Sequence, residues 1–128
     1  MVAIIDHSDP FHESCLELLE TWRGTLFIPQ TVVAEVGYMV GDRIGALAET
    51  RFVQDLVSGA LLSARVESGD WQRIAELVWT YRDMPLGTTD ASIVAIAERL
   101  GITQIATLDH RHFGAVQPVH CESFELLP

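Results

Sequence analysis

The chain has 128 residues, 48% of them hydrophobic, which gives room for one domain with a sizeable core. Its net charge of −10 argues against a nucleic-acid binder that relies on its own basic surface. All eight basic side chains are arginines. The absence of lysine excludes P-loop NTPases and Schiff-base enzymes and disfavours receiver domains and haloacid-dehalogenase-like phosphatases; no G-x-S-x-G elbow supports a serine triad.

Val2 to Ile5 is a short apolar run that ends at Asp6. Ser8-Asp9-Pro10 signals a helix start, with Asp9 as N-cap and Pro10 at the first helical position. Phe11, Cys15, Leu18, Leu19 and Trp22 mark its apolar face, and Gly24 closes it. Leu26-Phe27-Ile28 reads as a brief strand stopped by Pro29. A helix then starts near Thr31, with Val32, Val33, Val36, Met39 and Val40 on its apolar face and Glu35 at the border of that face. A carboxylate among valines costs free energy when buried without a partner, so Glu35 is either a candidate site residue or a snorkelling surface glutamate.

Gly41 to Gly45 reads as a loop, Ala46 to Ser58 as a helix ended by Gly59, and Leu61 to Val66 as a strand. Asp70 reads as the cap of an amphipathic helix bearing Trp71, Ile74, Ala75, Val78 and Tyr81, and the tryptophans read as core residues rather than base-stacking platforms. Gly87 to Phe113 follows as a helix and a strand. Asp90 falls in the first turn of that helix, after Thr88 and Thr89, where the helix dipole favours an ionised carboxylate. Gly101 is the expected left-handed cap. Ile102 to Leu108 suits a sheet interior, and Asp109 follows its last residue, where open α/β sheets place ligands. A final strand is expected around Phe124 to Leu127. Strands alternating with helices imply an α/β fold with a mostly parallel sheet covered on both faces.

Cys15 and Cys121 are isolated, which disfavours a disulfide framework or a cysteine-built zinc site and fits a reducing cytoplasm. No run reaches transmembrane length. Glu35, Asp90 and Asp109 lie on three different elements. Carboxylates without cysteine partners suit a hard cation such as Mg²⁺ or Mn²⁺, which activates water and stabilises charge on a phosphodiester.

Three stretches resemble the PIN domain, particularly the VapC-type toxins of bacterial toxin–antitoxin pairs. I-P-Q-T-V-V-A-E-V-G-Y-M-V is similar to the family's strand–helix segment, with Glu35 as its acidic residue. Y-R-D-M-P-L-G-T-T-D-A-S-I-V-A-I-A-E-R-L-G resembles the segment bearing the next, Asp90, and I-A-T-L-D-H-R-H-F matches the T-L-D-x-x-H-F signature at Asp109. The resemblance spans essentially the whole chain and implies a single three-layer α/β/α domain that cuts RNA with Mg²⁺ or Mn²⁺. In that picture Asp90 is a direct ligand, while Glu35 and Asp109 hold the metal or its waters. The resemblance further implies a homodimer silenced by a small antitoxin whose basic residues enter the acidic cleft. His110, Arg111 and His112 are read as solvated loop residues, with phosphate contact as the second reading.

The front of the chain departs from the family pattern. D-H-S-D-P-F-H matches a loop that follows the family's first strand and first aspartate, which sets the expectation that both lie upstream of Met1. The competing reading makes Val2 to Ile5 that strand and Asp6 the ligand. Two function classes follow: an active ribonuclease toxin, or a crippled PIN-like domain that keeps antitoxin binding or dimerisation.

Overall fold

The structure is a computed structural model that describes residues 1–128, with seven helices and four short strands. The chain divides into two compact units, Met1–Ala64 and Arg65–Pro128. Both contain parallel strand pairs, as the alternation of elements predicts, and no helix is long and apolar enough to cross a membrane.

The first unit runs α1 (Val2–Ile5), α2 (His12–Thr21), β1 (Phe27–Pro29), α3 (Gln30–Arg43), α4 (Ala46–Ser58) and β2 (Leu62–Ala64). Val2–Ile5 is helical, so Asp6 follows a helix and not a strand. Its carboxylate accepts from the Ser8 hydroxyl at 2.6 Å and the Ser8 N–H at 3.0 Å. Those two bonds hold the Asp6 carboxyl below its usual range. Asp9 is a turn residue rather than a cap: it accepts from Phe11 N–H, and the helix begins only at His12.

The expected loop at Gly41 to Gly45 is mostly helix, because α3 continues through Arg43. The corner itself is Ile44–Gly45, where a φ of +119° requires glycine. The Gly45 carbonyl then accepts from the Ala48 and Glu49 N–H groups and starts α4. A Cβ at Gly41 would stand 2.6 Å from Glu49 Oε2, so the bare backbone there makes room for a carboxylate of α4. Val36 and Val40 pack with Phe52, Ile28 and Leu61 to form this unit's core. Strands β1 and β2 pair in parallel, Ile28 opposite Ser63.

The second unit runs α5 (Ser68–Thr80), α6 (Thr88–Leu100), β3 (Gln104–Ala106), α7 (His110–Ala115) and β4 (Glu125–Leu127). The cap of α5 is Glu67, not Asp70. Asp70 is the reciprocal member of the capping box, accepting from Glu67 N–H at 2.8 Å. The middle of helix α6 is buried, and Ala91, Val94, Ala95 and Ala97 pack with Ile74 and Leu77 of α5, Ile105 of β3 and Phe113 of α7. Alanines at these positions let the neighbouring helix approach closely. Trp71 and Trp79 are exposed, contrary to the expectation that they fill the core. Helix α5 carries two apolar stripes, and the one bearing Ile74 and Leu77 faces inward.

Two ion pairs staple α5 to α6. Arg73 grips Glu98 with Nε and Nη2 at 2.8 and 2.9 Å, and Glu98 Oε1 also accepts from Val119 N–H. Arg99 Nε reaches both oxygens of Asp70, while its Nη2 donates to the Arg65 carbonyl at 2.8 Å.

Candidate active site

Asp90 is the third residue of α6, whose N-cap is Gly87. It is half-buried, and the next turn of the helix is sealed by Ser92, whose hydroxyl donates to the Thr89 carbonyl at 2.6 Å. At its other end the helix stops at Gly101, φ +69°, with Ile102 N–H bonded to the Ala97 carbonyl. The chain turns directly into β3, and Asp109 comes three residues after that strand ends.

Asp109 caps α7. Its Oδ1 accepts from His112 N–H at 3.0 Å and its Oδ2 lies 2.5 Å from His112 Nδ1. The Asp109 N–H in turn donates to Thr107 Oγ1 at 3.0 Å. These contacts fix the carboxylate's direction. The His112 N–H, against the opposing effect of burial and with help from the His112 and Arg111 side chains, lowers the Asp109 pKa. The carboxyl group is therefore ionised well into the acid range. His110, Arg111 and His112 are helical residues rather than loop residues. His110 Nε2 donates to the carbonyls of Thr107 and Pro128.

His112 as the partner of Asp109 was missed in the sequence. The signal was there: a cap followed three residues later by a histidine places the imidazole over the capping carboxylate. Glu35 lies in the second turn of α3 in the first unit and is exposed, so it is no buried charge among valines.

Asp90 and Asp109 thus belong to one unit and Glu35 to the other. No group of three or more His, Cys, Asp or Glu side chains is arranged to hold a metal ion. The fit to Mg²⁺ or Mn²⁺ is one of donor chemistry: carboxylate oxygens, with Asp109 held ionised and in a fixed direction.

The PIN domain family model matches residues 1–117. Ribonuclease VapC26 of Mycobacterium tuberculosis (strain ATCC 25618 / H37Rv) is 32% identical over 128 residues, covering 100% of this chain and 95% of that protein. The crystal structure of Mycobacterium tuberculosis VapC20, a sarcin-ricin loop cleaving toxin, superposes with a TM-score of 0.82 at 18% identity, over 94% of this chain and 92% of the other. The fold is accordingly that of a PIN domain, and the chain belongs to the PIN-domain family, among its VapC-type members.

Proposed function

We propose that this chain is a metal-dependent endoribonuclease toxin that hydrolyses RNA phosphodiester bonds, pairs with itself and is held inactive by a small cognate antitoxin in the cytoplasm. The observation that carries the reading is full-length similarity, at 32% identity, to a protein named as a ribonuclease of the VapC type. The placement of two half-buried carboxylates, Asp90 and Asp109, in one unit supports it from the chemical side.

Asp90 is the proposed direct ligand of Mg²⁺ or Mn²⁺, with Glu35 and Asp109 holding the ion or its waters. Such an ion, when bound, activates water and offsets the negative charge that builds on the phosphodiester. The chain's own part is orientation. Helix α6 carries Asp90 in its first turn, just ahead of its buried middle, and His112 fixes Asp109 through two bonds. A carboxylate that is already ionised and aimed has no proton to lose and no rotamer to choose when a cation arrives. The acidic chain, with eight arginines against 18 acids, needs added positive charge before RNA can settle on it. The antitoxin reading follows from the same imbalance, since a basic segment would be steered to the same carboxylates.

Asp90→Asn tests the reading, because it keeps the side chain's size and removes its charge. The expected outcome is loss of Mg²⁺-dependent cleavage of RNA with an unchanged circular dichroism spectrum. Cleavage at the wild-type rate with metal still required would remove Asp90 from the ligand set.

A further inference from the structure

The turn between α1 and α2 brings two histidines together. His12 opens α2 and is half-buried, and its Nδ1 lies 2.8 Å from the Ala3 carbonyl of α1. A carbonyl only accepts, so Nδ1 carries the ring proton and Nε2 keeps a bare lone pair. His7 is exposed, and its Nδ1 stands 3.0 Å from that Nε2. A single proton, on His7 Nδ1, fills the gap between the rings.

The turn holds both rings in place. Asp6 Oδ1 accepts from Ser8 N–H and Asp9 Oδ1 from Phe11 N–H. The Asp6 and Asp9 carbonyls accept from the Asp9 and His12 N–H groups. The four bonds close the chain from Asp6 to His12 into one fixed shape.

The contact is not a head-on hydrogen bond. A ring nitrogen lies about 1.15 Å from its ring centre, so a straight N–H···N bond of this length would set the centres about 5.3 Å apart. They are 4.5 Å apart, with the ring planes at 64°. The bond is therefore bent, as it is when two ring nitrogens face one point from different directions. Two imidazoles at a right angle on one ion, with bonds of about 2.05 Å, have nitrogens about 2.9 Å and ring centres about 4.5 Å apart. The tetrahedral angle of zinc would need about 3.3 Å and about 5.2 Å. The pair matches the right angle, which is how neighbouring ligands sit on Cu²⁺ or Ni²⁺. The carbonyl bond at the far nitrogen of His12 is the usual outer support of a metal-bound histidine.

We propose that His7 Nδ1 and His12 Nε2 form a two-nitrogen site for a divalent transition-metal ion that prefers right-angled ligands, Cu²⁺ or Ni²⁺, with solvent in its remaining positions. The ion replaces the proton between the rings. His7 then carries its proton on Nε2, so no proton is released and His12 keeps its tautomer. The site uses none of Glu35, Asp90 and Asp109, and it stands independently of the nuclease reading.

The experiment titrates the untagged chain with Ni²⁺ by isothermal calorimetry in excess Mg²⁺, beside His7→Gln, Asp90→Asn and His112→Gln. The wild type is expected to take one ion per chain with a Kd of about 10–100 µM. His7→Gln should bind about 10-fold or more weakly with its dichroism unchanged, because the side chain is exposed. Asp90→Asn and His112→Gln should bind as the wild type does. In the Cu²⁺ form, electron paramagnetic resonance should show two coupled nitrogens in the wild type and one in His7→Gln. A wild type that never saturates, or a His7→Gln that binds equally well, would overturn the site and leave the pair a hydrogen bond. Binding lost in Asp90→Asn or His112→Gln and kept in His7→Gln would overturn it too, by placing the ion at the carboxylates of the second unit.

Discussion

Asp109 is tied to His112 through both carboxylate oxygens, so it serves its own helix as well as the proposed chemistry. Asp109→Ala should destabilise the fold by about 1 kcal/mol, the usual cost of losing an N-cap. The sign with pH follows from the lowered pKa. A depressed folded-state pKa contributes stability that is present above the unfolded value of about 3.9 and is lost as pH falls through the folded one. Denaturant midpoints of wild type and Asp109→Ala should therefore differ at pH 7 and draw together as pH falls below the unfolded value and through the folded one. A gap that stays constant to pH 2 would mean that the charge on Asp109 plays no part. The T-L-D-x-x-H-F resemblance singles out Asp109, and the structure makes it the cap of α7. Its partner was hidden because three consecutive polar residues after an aspartate read equally well as a solvated loop.

At the scale of the element, the α5–α6 pair depends on charges that are out of water. The Glu98 side chain is only 6% exposed and its bidentate partner is Arg73. Arg73→Leu leaves a buried carboxylate with one backbone donor and should cost about 3 kcal/mol or more. Arg73→Leu combined with Glu98→Leu removes both charges and should recover most of that loss, because burying an ion pair carries its own desolvation penalty. A double variant as unstable as the sum of the two single variants would contradict this account.

Boundaries were most legible where glycine marks them: α4 falls at Ala46–Ser58 between Gly45 and Gly59, and α6 closes at Gly101. The start of α5 was not, since glutamate is an unusual cap and Asp70 is a common one. Nor did periodicity choose between the two apolar stripes of α5, because both repeat at helical spacing and only the neighbouring α6 decides which is buried. Val2–Ile5 was open for a related reason: four apolar residues are too few to separate a strand from a turn of helix.

For the whole molecule the leading quantity is net charge. At −10 the folded state repels itself, and it has no lysine to spread opposing charge over the surface. Raising monovalent salt from about 0.01 M to about 0.15 M shortens the screening length from about 30 Å to about 8 Å. The melting temperature should rise over that range, read by differential scanning calorimetry. A fall would mean that the surface ion pairs outweigh the repulsion. The same imbalance, visible in composition alone, is what made an RNA substrate look improbable until the carboxylate-bearing motifs were placed.

The strand ladders have a consequence for how the chain is made. Phe27 pairs with Leu62 and Gln104 with Glu125, so both partners of the first ladder lie in the first half of the chain and both partners of the second lie in the last quarter. On a ribosome, which releases the N-terminal end first, the segment that holds Ile28 and Ser63 clears the exit tunnel before the segment that holds β3 and β4, so the first ladder can close while the last strands are still enclosed. The proposed metal-binding carboxylates Asp90 and Asp109 belong to the later half, so the nascent chain can hold a folded core well before its catalytic set is complete.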